Sequence, residues 1–377
     1  MYNDKMIKIT PDDTYHYFFG YYDLQPYDES GKYHLAHRVK FADRLPQKDD
    51  VCEVGVIEVA TRRFIKVGET TAWNFQQGAF LNWFTNGSIV YNAFVEGKLC
   101  SVVKRLDGNT EKVLPLPIAS LSQDKKWGLS VNFARIYAFR PGYGYAAAED
   151  SYAKENVPWQ DGVFLIDMQS GKSKLLISYA ELANAFPEAP FTDGKLVINH
   201  VTFNPSATKF LMLLRNFPTE NVPKRTQVLI IGVDKTVKKM TDYQINSHYS
   251  WKNDNEFVIW SLLEEGKGIY FFNAETGERR RLHNEILDKD DIHCLYSPNQ
   301  TCFIGDSYPY VDGHRHIYLY HFADGSVHDL IKIKHDEPKI GDIRCDLHAR
   351  FYQDSRTISF DSYCGEYRAI YQLRLGE

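Results

Sequence analysis

The sequence predicts an all-β protein: a seven-bladed β-propeller closed by its amino-terminal strand, with residues 1–377 forming one domain. Three observations carry this expectation. A histidine returns at positions 200, 248, 293 and 348, each time followed three residues on by an aromatic (Phe203, Trp251, Tyr296, Phe351), then by a turn and an apolar strand. Spacings of 48, 45 and 55 residues are those of a repeat architecture. The last repeat reads as three strands only, while Met6–Thr10 alternates like a strand and has no local partner. Joining the two completes a blade and removes two open sheet edges.

The units are read from starts near residues 23, 80, 118, 200, 248, 293 and 348. In the first, His16–Asp23 is aromatic and tightly turned and Pro26–Gly31 is a turn. Tyr33–Val39 is a strand, and Val54–Val59 pairs with Arg63–Val67. The second runs from Phe80–Trp83 through Asn86-Gly87, a strong hairpin signal, to Ile89–Phe94. The third takes Ile118–Leu121 and Trp127–Phe133, then makes a long excursion, Arg140–Trp159, before Val163–Asp167. Ser178–Phe186 reads as one short helix. The fifth unit shows the pattern whole: His248–Trp251, Phe257–Leu262, Gly268–Asn273 and Arg279–Leu282 alternate and are separated by turn residues. The sixth repeats it, and the seventh ends at Leu375.

Composition agrees and narrows the function. Aromatic content of 14%, with 25 Tyr and 23 Phe, suits strands. A net charge of −5 argues against nucleic acid and anionic membrane surfaces as partners. No apolar run approaches the length of a membrane span. Six cysteines without a CxxC pair do not make a disulfide framework. The first residues lack the basic and apolar regions of a leader, so the expected location is cytoplasmic, or periplasmic if a leader has been removed. There is no GxSxG, Walker loop, GxGxxG after a strand, or HExxH, which argues against a serine-type hydrolase.

In a propeller the first strand of each blade lines the central channel. Four histidines in phase therefore face one channel mouth, where imidazoles serve as bases or as ligands for Mn²⁺, Zn²⁺ or a similar ion. The competing reading is that each caps its blade by bonding to a neighbouring strand. Asp23 falls at the same phase in the first blade, with Gln77 near it. Arg215, in the strand after His200, is placed to neutralise a bound carboxylate, or to pair with an acidic neighbour. Asn74, Gln77, Asn132, Arg135 and Tyr143 lie in polar and aromatic loops over the scaffold, where binding residues concentrate; edge packing is the other reading. A Cys₂His₂ zinc site from His293, Cys294, Cys345 and His348 is conceivable. Adjacent strand residues point to opposite faces, which tells against it.

The His-x-x-aromatic repeat, with Gly305-Asp-Ser-Tyr-Pro309 and Phe360-Asp-Ser362, resembles the TolB-like propellers, above all the oligogalacturonate lyases and more distantly the propeller ulvan lyases. The likeness is best over residues 195–375; the amino-terminal half resembles other bacterial propellers of this class. The resemblance implies β-elimination on a uronate-containing acidic oligosaccharide, with a divalent metal (Mn, Zn or Ca) at the carboxylate. By motif it implies His200 as the base and His248 and His293 as metal ligands. Where the lyases carry Gln-x-x-His-x-His, this chain has Asp288-Lys-Asp-Asp-Ile-His293. Asp291 would then serve as a hard ligand, and His348 would close the set. Two alternatives stand beside this reading: a non-catalytic propeller that binds glycan or protein around a structural metal, and a glycoside hydrolase, whose mark would be a close carboxylate pair.

Overall fold

Runs that alternate apolar and polar side chains, broken by Gly, Asn and Asp turns, build seven four-stranded antiparallel sheets arranged as propeller blades. The computed structural model describes residues 5–85, 87–188, 191, 194–243, 245–335 and 341–376. The first strands of the blades are His16–Phe18, Asn82–Thr85, Ser120–Leu121, Leu196–Phe203, Asn246–Trp251, Ile292–Tyr296 and Arg350–Phe351. Blade five has the expected form, with Glu256–Leu263, Gly266–Asn273 and Arg279–Leu282 following its first strand. Blade seven supplies Arg350–Phe351, Thr357–Ser362 and Ala369–Arg374, and Ile7–Lys8 adds the fourth strand through Ile7↔Gln372 and Lys8↔Tyr371. The predicted closure is the observed one. No helix among the described residues is long and apolar enough to cross a membrane.

Two expectations are corrected. Blade one begins at His16–Phe18 rather than near Asp23. The chain then leaves the sheet at Gly20, whose φ is +135° and whose missing Cβ would sit 2.9 Å from the Gln77 carbonyl oxygen. No other residue fits there. In blade three the strand stops at Ser130, and Phe133–Phe139 is a helix, α1. Asn132 caps it by accepting the Arg135 backbone N–H at 2.9 Å, which diverts the apolar run from strand to helix. The second helix, α2, spans Tyr179–Ala185 as expected, opened by a capping box between Ser178 and Glu181. The Asn-Gly turn of blade two joins strands that pair at Thr85↔Ser88 around Gly87; Asn86 itself lies outside the described residues.

The closure also fills the channel. Arg350 and Arg368, both fully buried, grip Asp361 at 3.2 and 2.8 Å. Arg350 donates onward to the carbonyls of Gly20 (2.7 Å) and Tyr21 (3.3 Å). The segment after Gly20 is thereby held across the axis. The Tyr22 hydroxyl reaches the far wall, donating to the Tyr249 carbonyl at 2.7 Å.

Candidate functional site

Three of the four repeated histidines pack ring on ring. His248 and His293 have centroids 3.8 Å apart, and His293 and His348 4.6 Å. The fourth, His200, is stacked on Tyr21 at 5.1 Å, and Tyr21 in turn packs on His348 at 5.0 Å. The histidines thus converge around an aromatic residue that carries none of the repeat pattern.

His293, Asp346 and His348 form a polar group with one ligand-type atom from each lying within 4.8 Å of the other two. All three are buried. His293 donates from Nδ1 to Asp306 Oδ2 at 3.0 Å, and His348 donates from Nδ1 to the Gly20 carbonyl at 2.8 Å. Each ring's Nε2 has no hydrogen-bond partner. A buried imidazole with Nδ1 satisfied and Nε2 bare is the usual preparation of a metal ligand. Asp306 further accepts the backbone N–H groups of His348 (3.1 Å) and Ala349 (3.0 Å), which holds His348 at a φ of +44°. Asp346 is held by Arg344 at 3.0 and 2.7 Å. Burial keeps the His348 imidazolium well below its ordinary range, so His348 is neutral. In His293 burial acts the same way, but the Asp306, Asp346 and Asp291 carboxylates outweigh it and raise its pKa.

Beside this cluster opens a cavity of about 690 Å³, lined by His200, Arg215, His248, Asp291 and the phenols of Tyr143 and Tyr308. His248 donates from Nδ1 to Asp291 Oδ1 at 2.8 Å, which leaves the Nε2 lone pair available. His200 is arranged the opposite way. The Gln77 amide donates to its Nδ1 at 3.2 Å, so the ring proton sits on Nε2. Burial, with Arg215 adding to it, keeps His200 from becoming charged. Arg215 donates to Asn199 Oδ1 and to the Asn246 carbonyl at 3.4 Å. It pairs with no carboxylate among the described residues, and its Nε is bare. Lys224 also lines the cavity, and burial, reinforced by Arg215 and Arg140, pulls its ammonium down to about 8. Arg215 and Lys224 thus give this part of the wall positive charge with no carboxylate in direct contact among the described residues.

The excursion of blade three and the connection into blade seven meet above this cavity. Arg140 pairs with Asp342 at 2.9 Å, the Gly142 N–H donates to the same carboxylate at 3.0 Å, and Arg344 donates to the hydroxyls of Tyr143 (3.3 Å) and Tyr308 (3.4 Å).

The expected residues therefore divide. His200, Arg215, Gln77 and Tyr143 face the cavity. His293 and His348 lie in the cluster; His248 and Asp291 bond to each other and are not part of it. Three residues expected to bind substrate do not line this cavity. Asn74 is fully buried, with its side-chain oxygen accepting the Gln76 and Gln77 N–H groups. Asn132 caps α1 and donates to Asp150 and Asp161. Arg135 is fully buried and spends its guanidinium on the carbonyls of Leu196, Tyr152, Glu155 and Asn156. The cysteine reading fails as the strand geometry anticipated: Cys294 and Cys345 are buried in hydrophobic clusters, away from the imidazoles. Sequence reasoning missed Asp346, Asp306, Tyr21 and Arg344. Asp346-Leu-His348 did carry a signal, two ligand-type side chains separated by one residue.

No family model and no curated protein sequence matches the chain. Solved structures match its fold. An oligogalacturonate lyase in complex with manganese is 16% identical with a TM-score of 0.69, covering 99% of this chain and 93% of that one. The oligogalacturonate lyase of Vibrio parahaemolyticus is 13% identical with a TM-score of 0.68, covering 99% and 94%. A chain of the mitotic checkpoint complex is 10% identical with a TM-score of 0.51, covering 99% and 95%. The resemblance read in the sequence holds at the level of the fold.

Proposed function

We propose that the protein is a lyase that cleaves a uronate-containing acidic oligosaccharide by β-elimination. The observation that carries this reading is the Asp291–His248 pair facing a cavity whose wall holds Arg215 without a carboxylate partner. The proton at C5 of a uronate is weakly acidic. Removing it takes a positioned base and positive charge where enolate charge builds. We assign the base to His248 rather than to His200. Asp291 fixes the His248 proton on Nδ1 and leaves the lone pair on Nε2, whereas Gln77 leaves His200 presenting an N–H. Arg215 meets the substrate carboxylate, and His200 donates a hydrogen bond beside it.

His293, Asp346 and His348 are the residues suited to a divalent ion, since one ligand-type atom of each lies within 4.8 Å of the others and both Nε2 atoms have no partner. Two imidazoles and one carboxylate favour Mn²⁺ or Zn²⁺ over Ca²⁺, which takes oxygen ligands. An ion held by His293, Asp346 and His348 would supply positive charge, the chemistry that eases loss of a proton next to a carboxylate. The manganese complex among the fold neighbours supports this choice. Against a glycosidase, the cavity acids are each engaged: Asp23 by Thr202, Asp254 by Asn204 and Ser206, and Asp291 by His248.

The test is incubation with pectic, ulvan-type and glycosaminoglycan oligomers in the presence of Mn²⁺. The expected result is the ultraviolet absorbance of an unsaturated uronate from at least one of them, lost in His248→Ala. If none of the three gives unsaturated product, the lyase reading is wrong.

A further inference from the structure

A base and a charge acceptor leave β-elimination unfinished. The departing sugar oxygen is a poor leaving group and needs a proton as the C4–O bond breaks. The donor must be protonated at neutral pH, reach the cavity, and be stabilised once its proton has gone. His200 meets only part of this: held neutral, its N–H can make a hydrogen bond but is too weak an acid to surrender the proton. We infer that Tyr143 is the general acid that protonates the leaving oxygen, an assignment that rests on the lyase reading above.

The geometry singles Tyr143 out among the phenols of the cavity. Its ring lies under the Arg140 guanidinium at 4.2 Å, and its hydroxyl oxygen accepts from Arg344 Nη2 at 3.3 Å. Two guanidinium groups thus stand ready to hold a phenolate, one at the ring face and one at the oxygen. An oxygen that accepts from Arg344 keeps its own proton free to give. Tyr308 shares only Arg344, and Tyr21 has no guanidinium at its hydroxyl or ring face among the described contacts. Tyr143 packs edge-on against His200 at 5.6 Å, on the side of the cavity roofed by the excursion, while His248 packs against His293. Acid and base come from different elements, the excursion of blade three and the first strand of blade five.

The step balances without a co-reactant. His248 Nε2 takes the C5 proton, and that C–H electron pair becomes the C4=C5 double bond. The C4–O bond breaks, its electron pair stays on the leaving oxygen, and that oxygen takes the phenolic proton of Tyr143. The phenolate, held by Arg140 and Arg344, regains a proton from water, and the His248 imidazolium returns its own to water.

Tyr143→Phe in the full chain tests this with three readings. On the oligouronide that the wild type cleaves, kcat is expected to fall about 10²-fold or more while KM changes only a few-fold. Exchange of the C5 proton into deuterated water is expected to persist, because the base is intact. A 4-deoxy-4-fluoro uronate, whose fluoride departs without a proton, is expected to react at close to the wild-type rate. Mn²⁺ uptake by calorimetry reports that the variant's site is intact. A kcat within a few-fold of wild type overturns the assignment. So does an equal loss on the fluoro substrate, or the same pattern from Tyr308→Phe instead. A wild type that yields neither unsaturated product nor C5 exchange with any uronate overturns the lyase reading, and this assignment with it.

Discussion

Asp306 accepts the Nδ1–H of His293 at 3.0 Å, deep in blade six and out of reach of solvent. The same carboxylate takes the backbone N–H of His348 from the next blade, so a single acid aims two imidazoles at one point. Asp306→Asn should therefore weaken Mn²⁺ binding about 10- to 100-fold while leaving both histidines in place. Titration calorimetry on metal-stripped protein measures it. An unchanged affinity would mean that the cluster is oriented by packing alone.

The His248–Asp291 pair makes a separate prediction. Asp291→Asn keeps the shape but no longer demands the proton on Nδ1, so the Nε2 lone pair is lost in a share of the molecules. The kcat for uronide cleavage should fall about 10²-fold, with little change in KM. Metal affinity should hardly move, since neither residue belongs to the cluster. A loss of metal with Asp291→Asn would return Asp291 to the ligand role that the sequence suggests.

The architecture was legible because the inner strand of blades four to seven reuses one phrase, a histidine and an aromatic three residues on. Blades one to three were harder to delimit. Their inner strands are short, two residues in the case of Ser120–Leu121, and the chain ahead of Asp23 turns out of the sheet at Gly20. The site was legible only as a set of histidines. Their division of labour depends on what each Nδ1 meets, and those partners come from other blades: Asp291 for His248, Gln77 for His200, the Gly20 carbonyl for His348. Asp306 was visible in Gly305-Asp-Ser-Tyr-Pro309, but nothing local distinguishes an acid that organises two neighbours from one that caps a turn. Arg135 and Asn132 looked like binding residues for the same reason, being polar residues in a loop over the channel.

Lys224 should give the cavity a pH-dependent grip on anions. Its ammonium is pulled down to about 8 by burial and by Arg215 and Arg140, with Asp291 pulling the other way. Below that pH Lys224 is charged and contributes to holding an acidic oligosaccharide; above it the charge is lost. Affinity should decline as pH rises through about 8, with the midpoint displaced upward in the complex because a bound anion favours the charged form. Lys224→Met should bind more weakly at neutral pH and show a flatter profile over this range. Lys224→Arg should hold its affinity to higher pH. Direct binding measurements with a non-cleaved oligouronide across this range decide the matter, and a Met variant with the wild-type profile would exclude Lys224 as the source.

Arg135 should matter to stability rather than to recognition. Its guanidinium is fully buried and donates to four backbone carbonyls, three of them, at Tyr152, Glu155 and Asn156, in the excursion that carries Tyr143. It also lies 3.6 Å from Asp150 and stacks over Tyr179 at 4.8 Å. Arg135→Met fills the space but strands those carbonyls and leaves Asp150 a buried acid without its cation. Such losses cost about 3 kcal/mol or more, well above the effect of an ordinary surface change. Denaturant unfolding should show that destabilisation, and limited proteolysis should cut first within the 150–157 segment. Metal affinity should stay at the wild-type value, because the cluster hangs from blades six and seven. A variant as stable and as protease-resistant as wild type would mean that the excursion is anchored by its aromatic packing instead.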